Sequence, residues 1–398
     1  MPSFVAYDST LRDGAQAQGI SFSVEDKLKI VEKLDELGIA YIEAGNPGSN
    51  PKDLEFFQRV AGLKLKHARI IAFGSTRKVG IAPADDRNLQ SLLAAGTQAV
   101  AIFGKSWDYQ VTDILRTTLE ENLAMIGSTI AYLKQQGREV VFDAEHFFDG
   151  YKANPDYALQ TLAAAADAGA DTLCLCDTNG GTFPHEIAEI TRLVCGKFSA
   201  QIGIHCHNDS EMAVANSVSA VLAGARQVQG TINGIGERTG NANLCSIIPN
   251  LQLKQGYDCL PEGNLASLTS VARYVAEVAN VTFNEKAPYV GGDAFSHKGG
   301  MHIDAVAKNP VSYEHIDPAR VGNARNILVS EVAGRSALLS KIHAVDASLA
   351  KDSPDTKRIL DEIKALEHEG YQFESAEGSI QLLVRKLLGK FQPFFELK

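Results

Sequence analysis

The amino-acid sequence predicts an α/β fold, a (β/α)8 TIM barrel followed by small, mainly helical accessory subdomains. One pattern, in which a helix end, a glycine and an apolar run follow one another, occurs at 34–45, 92–104, 164–177 and 220–234. The apolar runs suit parallel strands that are buried on both faces. Polar residues follow nearly every predicted strand, which is typical of a barrel whose active site lies at the carboxyl ends of its strands.

The glycine in each repeat is predicted to end a helix in the left-handed conformation, which a side chain disfavours. These glycines are Gly38, Gly96, Gly169 and Gly224. Because one strand with its crossover needs about 30 residues, each interval between them has room for a second βα unit. Four further apolar runs supply the remaining strands, at 4–10, 68–75, 138–146 and 200–208.

Eight strands within roughly 250 residues match the size of a (β/α)8 barrel. A doubly wound sheet is the alternative, but no G-x-G-x-x-G motif follows the first strand. The βα pattern stops near residue 255, which predicts a catalytic barrel over 1–255. A linker or subdomain that contributes to the active site is predicted over 256–330, with a helix at 265–281. A helical subdomain is predicted over 331–398, with two helices separated by Gly370.

Composition excludes several classes of protein. The chain has 398 residues, of which 45% are hydrophobic, and a net charge of −10, which disfavours nucleic acid as a partner. No apolar run approaches the roughly 18 residues of a membrane span, and the N-terminal residues do not resemble an export signal, so a cytoplasmic location is predicted. Six irregularly spaced cysteines indicate reduced thiols. Cys174 and Cys176 are interpreted as small core residues of a strand rather than metal ligands.

A histidine pair carries the prediction of a metal site. His205 and His207 are two residues apart in a predicted strand, so both imidazoles point to the same side. Asp13, after the first strand, and Asn241, after the last, are candidates to complete the ligand set for a divalent ion. Each has an alternative interpretation, since Asp13 is equally suited to cap a helix and Asn241 to lie in a loop.

Four more residues at strand ends are candidates for the chemistry. Arg12 could stabilise a developing oxyanion or form a salt bridge, for which Glu43 is the natural partner. Glu145 could transfer protons or be paired with a base. Thr178 could donate to a substrate carboxylate or cap a helix.

Two glycine-rich segments lie outside this set. The segment 233–243 contains Gly-Ile-Gly but lacks the spacing of a dinucleotide fingerprint, so it is interpreted as a tight loop, with phosphate binding as the alternative. The segment 296–302 places His297 and His302 beyond the barrel, where a histidine could reach an active-site mouth or be solvated. Phe103 and Phe142, near the ends of strands four and five, could narrow the pocket or pack within the barrel.

Taken together, three motifs resemble the DRE-TIM metal-dependent family that includes 2-isopropylmalate, homocitrate and citramalate synthases. They are STLRDGAQAQG at 9–19, HCHND at 205–209 and NGIGERTGNANL at 233–244. Two further stretches, at 143–159 and 175–184, look most like the citramalate synthase branch, which condenses acetyl-CoA with pyruvate.

The resemblance implies roles for the candidates. It carries over Asp13, His205, His207 and Asn241 as metal ligands, Arg12 and Glu145 as catalytic groups, and Thr178 as a contact to the keto acid. In similar synthases the last histidine of the S-H-x-x-G-x-H segment, here His302, reaches the active site of the neighbouring subunit, which implies a homodimer. Tyr313 lies in a matching segment and is carried over as a substrate contact.

Several alternatives stay open at this point. The metal could be zinc, manganese, cobalt or magnesium. The first alternative is a homocitrate or 2-isopropylmalate synthase, which uses the same kind of site on another 2-oxo acid. The second is an aldolase or acyl-CoA lyase, which runs similar chemistry in reverse. The third is a barrel that binds its ligands without turnover. The accessory region after residue 255 favours a synthase.

Family members usually continue into a C-terminal regulatory domain that binds the end-product amino acid, whereas this sequence stops at FFELK. We therefore expect the regulatory domain to be absent and isoleucine to leave the activity unchanged. The measurement is the rate of CoA release with and without isoleucine, and clear inhibition at modest concentration would contradict the expectation.

Overall fold

The structure is a computed structural model of the chain. It describes residues 2–328, 342–343, 345–346, 348–350, 353–373 and 376–395. The chain divides into two compact units, Met1–Phe283 and Asn284–Lys398. Among the described residues, no helix has the length and apolar character needed to cross a membrane.

The first unit is built on a closed barrel of eight parallel strands, in which each strand pairs with the next along the chain and the eighth pairs with the first. The predicted (β/α)8 barrel is therefore confirmed. Its strands are β1 Val5–Asp8, β2 Tyr41–Glu43, β3 Arg69–Ser75, β4 Ala99–Lys105, β5 Glu139–Glu145, β6 Thr172–Asp177, β7 Gln201–Cys206 and β8 Gln227–Gly230.

Helices follow the strands and cover the outside of the barrel. They are α1 Val24–Leu37, α2 Pro51–Val60, α3 Arg87–Ala94, α4 Leu119–Gln135, α5 Phe147–Ala153, α6 Pro155–Asp167, α7 Pro184–Lys197, α8 Ala213–Ala223, α9 Leu244–Pro249 and α10 Leu268–Val278. Shorter 3₁₀ turns include Gly14–Gln16, Pro83–Asp85 and Asn264–Ser267, and π-helical segments span Gln110–Leu115 and Asn250–Lys254.

Helix α1 shows how the sequence sets these elements. Ser23 caps its N-terminus by accepting a hydrogen bond from the Asp26 N–H, while the Asp26 side chain accepts from the Ser23 N–H. This reciprocal pair satisfies two amide groups that would otherwise lack partners. Gly38 ends the helix with φ +96°, in the left-handed region that favours glycine. The glycines of the other three repeats also have positive φ, as predicted.

The interior of the barrel is filled by side chains that alternate along the strands. Tyr7, Ala101, Val141 and the two cysteines of β6 belong to one buried cluster there. Cys174 and Cys176 are free thiols within this cluster. The other four cysteines lie elsewhere in the chain and are also free thiols. A filled interior leaves the polar chemistry to the two ends of the strands.

The second unit begins at Asn284 and is mainly helical in its described part. It contains a two-stranded parallel sheet of Ser296–His297 and Asn326–Ile327, and helix α11 at Gly300–Lys308. Two more helices, Pro354–His368 and Glu377–Leu387, share an apolar core that includes Ile359, Ile363 and Val384.

The helix-ending glycines offer a stability test. A Cβ on Gly38 would lie 2.3 Å from the Cδ atom of Pro261, whereas a Cβ on Gly96, which has φ +70°, would meet nothing within 4 Å. We expect Gly96→Ala to lower the free energy of unfolding by about 1–2 kcal/mol, the cost of a left-handed alanine. Gly38→Ala should cost about 1–3 kcal/mol more, because the clash adds overpacking.

The measurement is urea denaturation followed by the fluorescence of Trp107, the single tryptophan of the chain, which lies in the barrel unit. Equal losses in the two alanine variants would contradict the packing argument.

Candidate active site

A cavity of about 250 Å³ opens at the carboxyl ends of the barrel strands. Its walls combine charged groups, imidazoles and two aromatic rings. The lining residues are Arg12, Asp13, Gln16, Phe73, Phe103, Asp143, Glu145, Cys176, Thr178, His205, His207, Glu237 and Arg238.

The turn after β1 places Arg12 and Asp13 in this cavity. The Ser9 N–H donates to the Gly230 carbonyl, and the Ser9 carbonyl accepts from the N–H groups of Arg12 and Gly14. The next side chain, Thr10, donates to the Asp8 carboxylate at 2.8 Å. These contacts tie the turn to the ends of β1 and β8, so its two charged side chains have defined positions.

Arg12 is paired with two carboxylates. Its Nε lies 2.7 Å from a Glu43 oxygen and its Nη1 lies 2.8 Å from an Asp13 oxygen. The guanidinium also lies 3.9 Å from the ring centroid of Phe73, a cation–π distance. Fully buried Glu43 accepts in addition from the hydroxyls of Tyr7 and Ser9. The salt-bridge partner that the sequence suggested for Arg12 is thus in contact with it.

Asp13 converges with His205 of β7 and with His207, which directly follows that strand. Their ligand atoms all lie within 4.8 Å of one another, and all three side chains are buried. The Nε2 atoms of His205 and His207 lie 3.8 and 3.9 Å from the same Asp13 oxygen. The i, i+2 spacing of the histidines therefore does place both rings on one side of β7, opposite the acid from β1.

Asn241 completes the group of four predicted ligands. Its Nδ2 donates to Asp13 at 2.9 Å, and its Oδ1 is buried without a hydrogen-bond partner among the described residues. Gly236 makes this approach available, because a Cβ there would lie 2.1 Å from the Asn241 Nδ2. An orphaned buried acceptor is costly unless a ligand uses it.

The protonation states suit ligands. Burial lowers the pKa of His205, and burial together with the charge of His205 lowers the pKa of His207 to about 4. Burial alone would raise the pKa of Asp13, but the charge of Arg12 is the largest opposing effect, and the pKa is held well below its usual value. At neutral pH the set therefore offers two neutral imidazoles and one carboxylate.

These donors fit a divalent metal ion. Imidazole nitrogens with carboxylate and amide oxygens suit ions from magnesium and manganese to cobalt and zinc, with imidazole favouring the later ones. The site thus has the chemistry of a metal centre, and the geometry alone does not select the metal.

Glu145 and Thr178 line the same cavity from neighbouring strands. Glu145, the last residue of β5, forms a salt bridge of 2.6 Å with Lys105 at the end of β4. The Thr178 hydroxyl accepts from the His146 N–H at 2.8 Å, so the hydroxyl oxygen already has one backbone partner. Both remain positioned to meet a bound molecule.

His302 and Tyr313 lie in the second unit. Both side chains are exposed, and their rings stack with centroids 4.1 Å apart. His297, the other histidine of the segment, is buried and lies 3.1 Å from a Glu314 oxygen, while Arg325 also binds that carboxylate. A structural role accounts for His297 but not for His302.

The structure adds residues that the sequence reasoning missed. Arg238 lines the cavity and donates to Asp209 and to the Thr178 carbonyl, each at 2.8 Å. Asp143 precedes Glu145 by two residues on β5, so it faces the same side, and Gln229 of β8 lies beside its register partner His205 of β7. Polar residues at alternate positions of otherwise apolar strands were the signal that could have found this last pair.

Phe103 and Phe142 differ in position. Phe103 lines the cavity and stacks on Phe73, with centroids 5.4 Å apart. Phe142 is fully buried and lies against Gly104, where a Cβ would come within 2.8 Å of its ring. Of the two aromatic residues considered for the pocket wall, Phe103 is the one that lines the cavity.

A second group of ligand-type atoms is formed by Asp143, Cys174 and Cys176, of which Asp143 and Cys176 line the same cavity. Burial raises the pKa of Asp143 to about 7, with the charge of Glu43 adding to the shift. The pKa of Cys174 is raised well above its usual value by burial, and that of Cys176 is raised as well. The thiols are therefore neutral, in agreement with core packing.

The sequence matches two known families along most of its length. The HMGL-like family profile matches residues 4–275, and the profile described as homocitrate synthase post-HMGL domain-like matches residues 289–371. The barrel is also similar to the crystal structure of the HMG-CoA lyase of Bacillus subtilis, with a TM-score of 0.61 and 19% identity, over 73% of this chain and 98% of that one. That likeness supports the fold.

Similarity to curated proteins is higher. The (R)-citramalate synthase of Aquifex aeolicus is 58% identical over 391 residues, which are 98% of this chain and 74% of the relative. The (R)-citramalate synthase of Synechocystis is 55% identical over 397 residues, which are 98% of this chain and 73% of the relative. The chain therefore belongs to the HMGL-like family and, within it, to the (R)-citramalate synthases.

Proposed function

We propose that the chain condenses acetyl-CoA with pyruvate and hydrolyses the thioester, releasing (R)-citramalate and CoA. The observation that carries the proposal is the convergence of Asp13, His205 and His207 beside Arg12 in the mouth of the barrel. A homodimer and a cytoplasmic location stay predictions of the sequence.

Asp13, His205, His207 and Asn241 would hold the divalent ion, and zinc, manganese, cobalt and magnesium are the candidates. When bound, such an ion supplies Lewis acidity that polarises the keto group of a 2-oxo acid. The orphaned Asn241 Oδ1 supports this ligand set.

Arg12 and Thr178 are proposed to orient the 2-oxo acid. Arg12 stays protonated, because the charges of Glu43 and Asp13 offset the effect of burial and raise its pKa. A guanidinium has five N–H groups, and two of those of Arg12 donate to the carboxylates of Glu43 and Asp13. The cation would stabilise the negative charge that develops on the keto oxygen during attack.

Pyruvate is the proposed 2-oxo acid, because the curated relatives at 58% and 55% identity are (R)-citramalate synthases. The stacked rings of Phe73 and Phe103 form one wall and leave about 250 Å³ for the reacting groups.

The proton chemistry needs a base and then water. Glu145 in the cavity and His302 of a neighbouring subunit are the proposed bases for the methyl proton of acetyl-CoA. The resulting enolate carbon forms a bond to the keto carbon, and the keto oxygen takes up a proton. Water then cleaves the thioester: its hydroxyl goes to the acyl carbon and its proton to the CoA thiolate.

The activity test is CoA release measured with a thiol reagent, using acetyl-CoA and a panel of 2-oxo acids. We expect release with pyruvate that is abolished by chelation and restored by a divalent ion. Arg12→Ala should lower kcat by about 100- to 1000-fold, the usual loss for an oxyanion-stabilising donor. Arg69→Ala is the matched control, since Arg69 is an exposed arginine at the start of β3 and should leave the rate unchanged.

Three results would contradict the proposal. They are full activity after exhaustive chelation, full activity of Arg12→Ala, and a preference for 2-oxoglutarate or 2-oxoisovalerate over pyruvate. Cleavage of citramalate in the presence of CoA as the faster direction would indicate a lyase instead.

The neutral imidazoles predict a pH dependence in metal-free protein. The pKa of His207 is about 4 when folded and about 6.5 when unfolded, so between these values the unfolded chain binds more protons. The stabilising effect of a neutral His207 is therefore complete above pH 6.5 and declines as the pH falls towards 4. From pH 7.5 to 5.5 the free energy of unfolding should fall by about 1 kcal/mol from this residue alone.

Urea denaturation in chelator at the two pH values measures the effect. The His207→Gln variant cannot take up this proton. Its free energy of unfolding should therefore fall by about 1 kcal/mol less than that of the unsubstituted protein between pH 7.5 and 5.5. Equal losses would show that His207 is not held neutral by the fold.

A further inference from the structure

Gln229 joins the candidate metal centre to the carboxyl group of Asp143, which lines the same cavity from β5. It is the third residue of β8 and is 1% exposed. Its Oε1 lies 3.0 Å from the Nδ1 atom of His205, and its Nε2 donates to an Asp143 oxygen at 2.8 Å. The three side chains come from β7, β8 and β5, so the chain of contacts crosses the interior of the barrel.

This chain of contacts fixes which His205 nitrogen carries hydrogen. At pH 8, above the pKa of about 7 of Asp143, its carboxyl group is ionised and only accepts hydrogen bonds, so the amide of Gln229 turns its Nε2 towards Asp143 and its Oε1 towards His205. An amide oxygen only accepts, so the Nδ1 of His205 must donate. In a neutral imidazole the other nitrogen then keeps its lone pair. That nitrogen, Nε2, is the one that faces Asp13.

His207 provides the contrast within the same site. Its Nδ1 is buried and has no hydrogen-bond partner among the described residues. No contact of this kind selects its tautomer. This asymmetry suggests that the tautomer of His205 is fixed before a ligand binds, whereas the tautomer of His207 is fixed by the ligand.

We propose that Gln229 and Asp143 are positioning residues that preset His205 in the tautomer able to bind a metal ion through Nε2. Gln229 acts directly on the imidazole, and Asp143 acts through the amide by excluding its reversed orientation. A reversed amide would present Nε2–H to His205 and force the imidazole hydrogen onto the metal-facing nitrogen. The inference rests on the proposed metal site, which it deepens.

The variants separate orientation from packing. Gln229→Leu keeps a similar volume and removes the acceptor. Gln229→Glu keeps an acceptor oxygen for His205 and, by sharing one proton with Asp143, keeps the second contact, so it serves as the conservative rescue. Gln227→Leu is the matched control: Gln227 lies two residues earlier on β8, is also 1% exposed, and its Oε1 has no hydrogen-bond partner among the described residues.

Two measurements on the full-length chain test the proposal. The first is the tautomer of His205 in metal-free protein at pH 8, read from long-range ¹H–¹⁵N spectra of protein labelled in the histidine rings and assigned with His205→Gln. The second is the dissociation constant for Zn²⁺, measured by competition with a chromogenic chelator. Neither measurement requires turnover.

We expect Nδ1-protonated His205 in the unsubstituted protein, in Gln229→Glu and in Gln227→Leu. Gln229→Leu should show a mixture of tautomers or the Nε2-protonated form, and should bind Zn²⁺ about 10- to 100-fold more weakly, the usual effect of losing a partner of a metal-binding histidine. Asp143→Leu should shift the tautomer in the same direction, since it frees the amide to reverse.

An unchanged tautomer in Gln229→Leu, or Nε2-protonated His205 in the unsubstituted protein, would overturn the inference. Equal weakening of Zn²⁺ binding by Gln227→Leu and Gln229→Leu would also overturn it, because general loss of packing would then explain both. Failure of the unsubstituted protein to bind any divalent ion would instead overturn the proposed metal site, and the tautomer result would still decide the role of Gln229.

Discussion

The arrangement of Arg12 between Glu43 and Asp13 is the interaction on which the candidate site depends. Three charges lie together at the mouth of a closed barrel, and removing one partner of a buried pair typically leaves an uncompensated charge that costs several kcal/mol. The group has a net charge of −1, and the neighbouring imidazoles are neutral. A divalent cation would bring this centre to +1, which suits an anionic 2-oxo acid and explains why a cluster of carboxylates can recognise an anion.

The barrel makes that cluster from residues that are distant in sequence. Asp13 and Asn241 are 228 positions apart and share a hydrogen bond because β1 and β8 are neighbours in the closed sheet. The sequence predicted this meeting, since residues that follow parallel strands lie at one face, and the two-residue spacing of His205 and His207 predicted their common direction. The local sequence pattern was sufficient to predict a side chain's position where that position depends only on which strand carries it and on the alternation of side chains along the strand.

Local pattern was insufficient where a contact depends on the barrel interior. Gln229 meets Asp143 across the barrel, and such contacts depend on register and strand tilt, which periodicity does not reveal. The extent of the first unit is a similar case. The βα pattern ends near residue 255, but the unit continues to Phe283 because helix α10 packs against α1 without a strand of its own.

Hydrogen bonding differs between the barrel interior and its mouth. Cys174 and Val141 belong to the apolar cluster of the interior, whereas Asp143, the register partner of Cys174, accepts a hydrogen bond from Gln229. Gln229 in turn supplies an acceptor to His205. At the mouth this succession ends, since the Oδ1 of Asn241 and the Nδ1 of His207 are buried without partners among the described residues. Because folded proteins rarely leave buried polar atoms unpaired, the Oδ1 of Asn241, whose amide nitrogen binds Asp13, is an acceptor that a bound ion would satisfy.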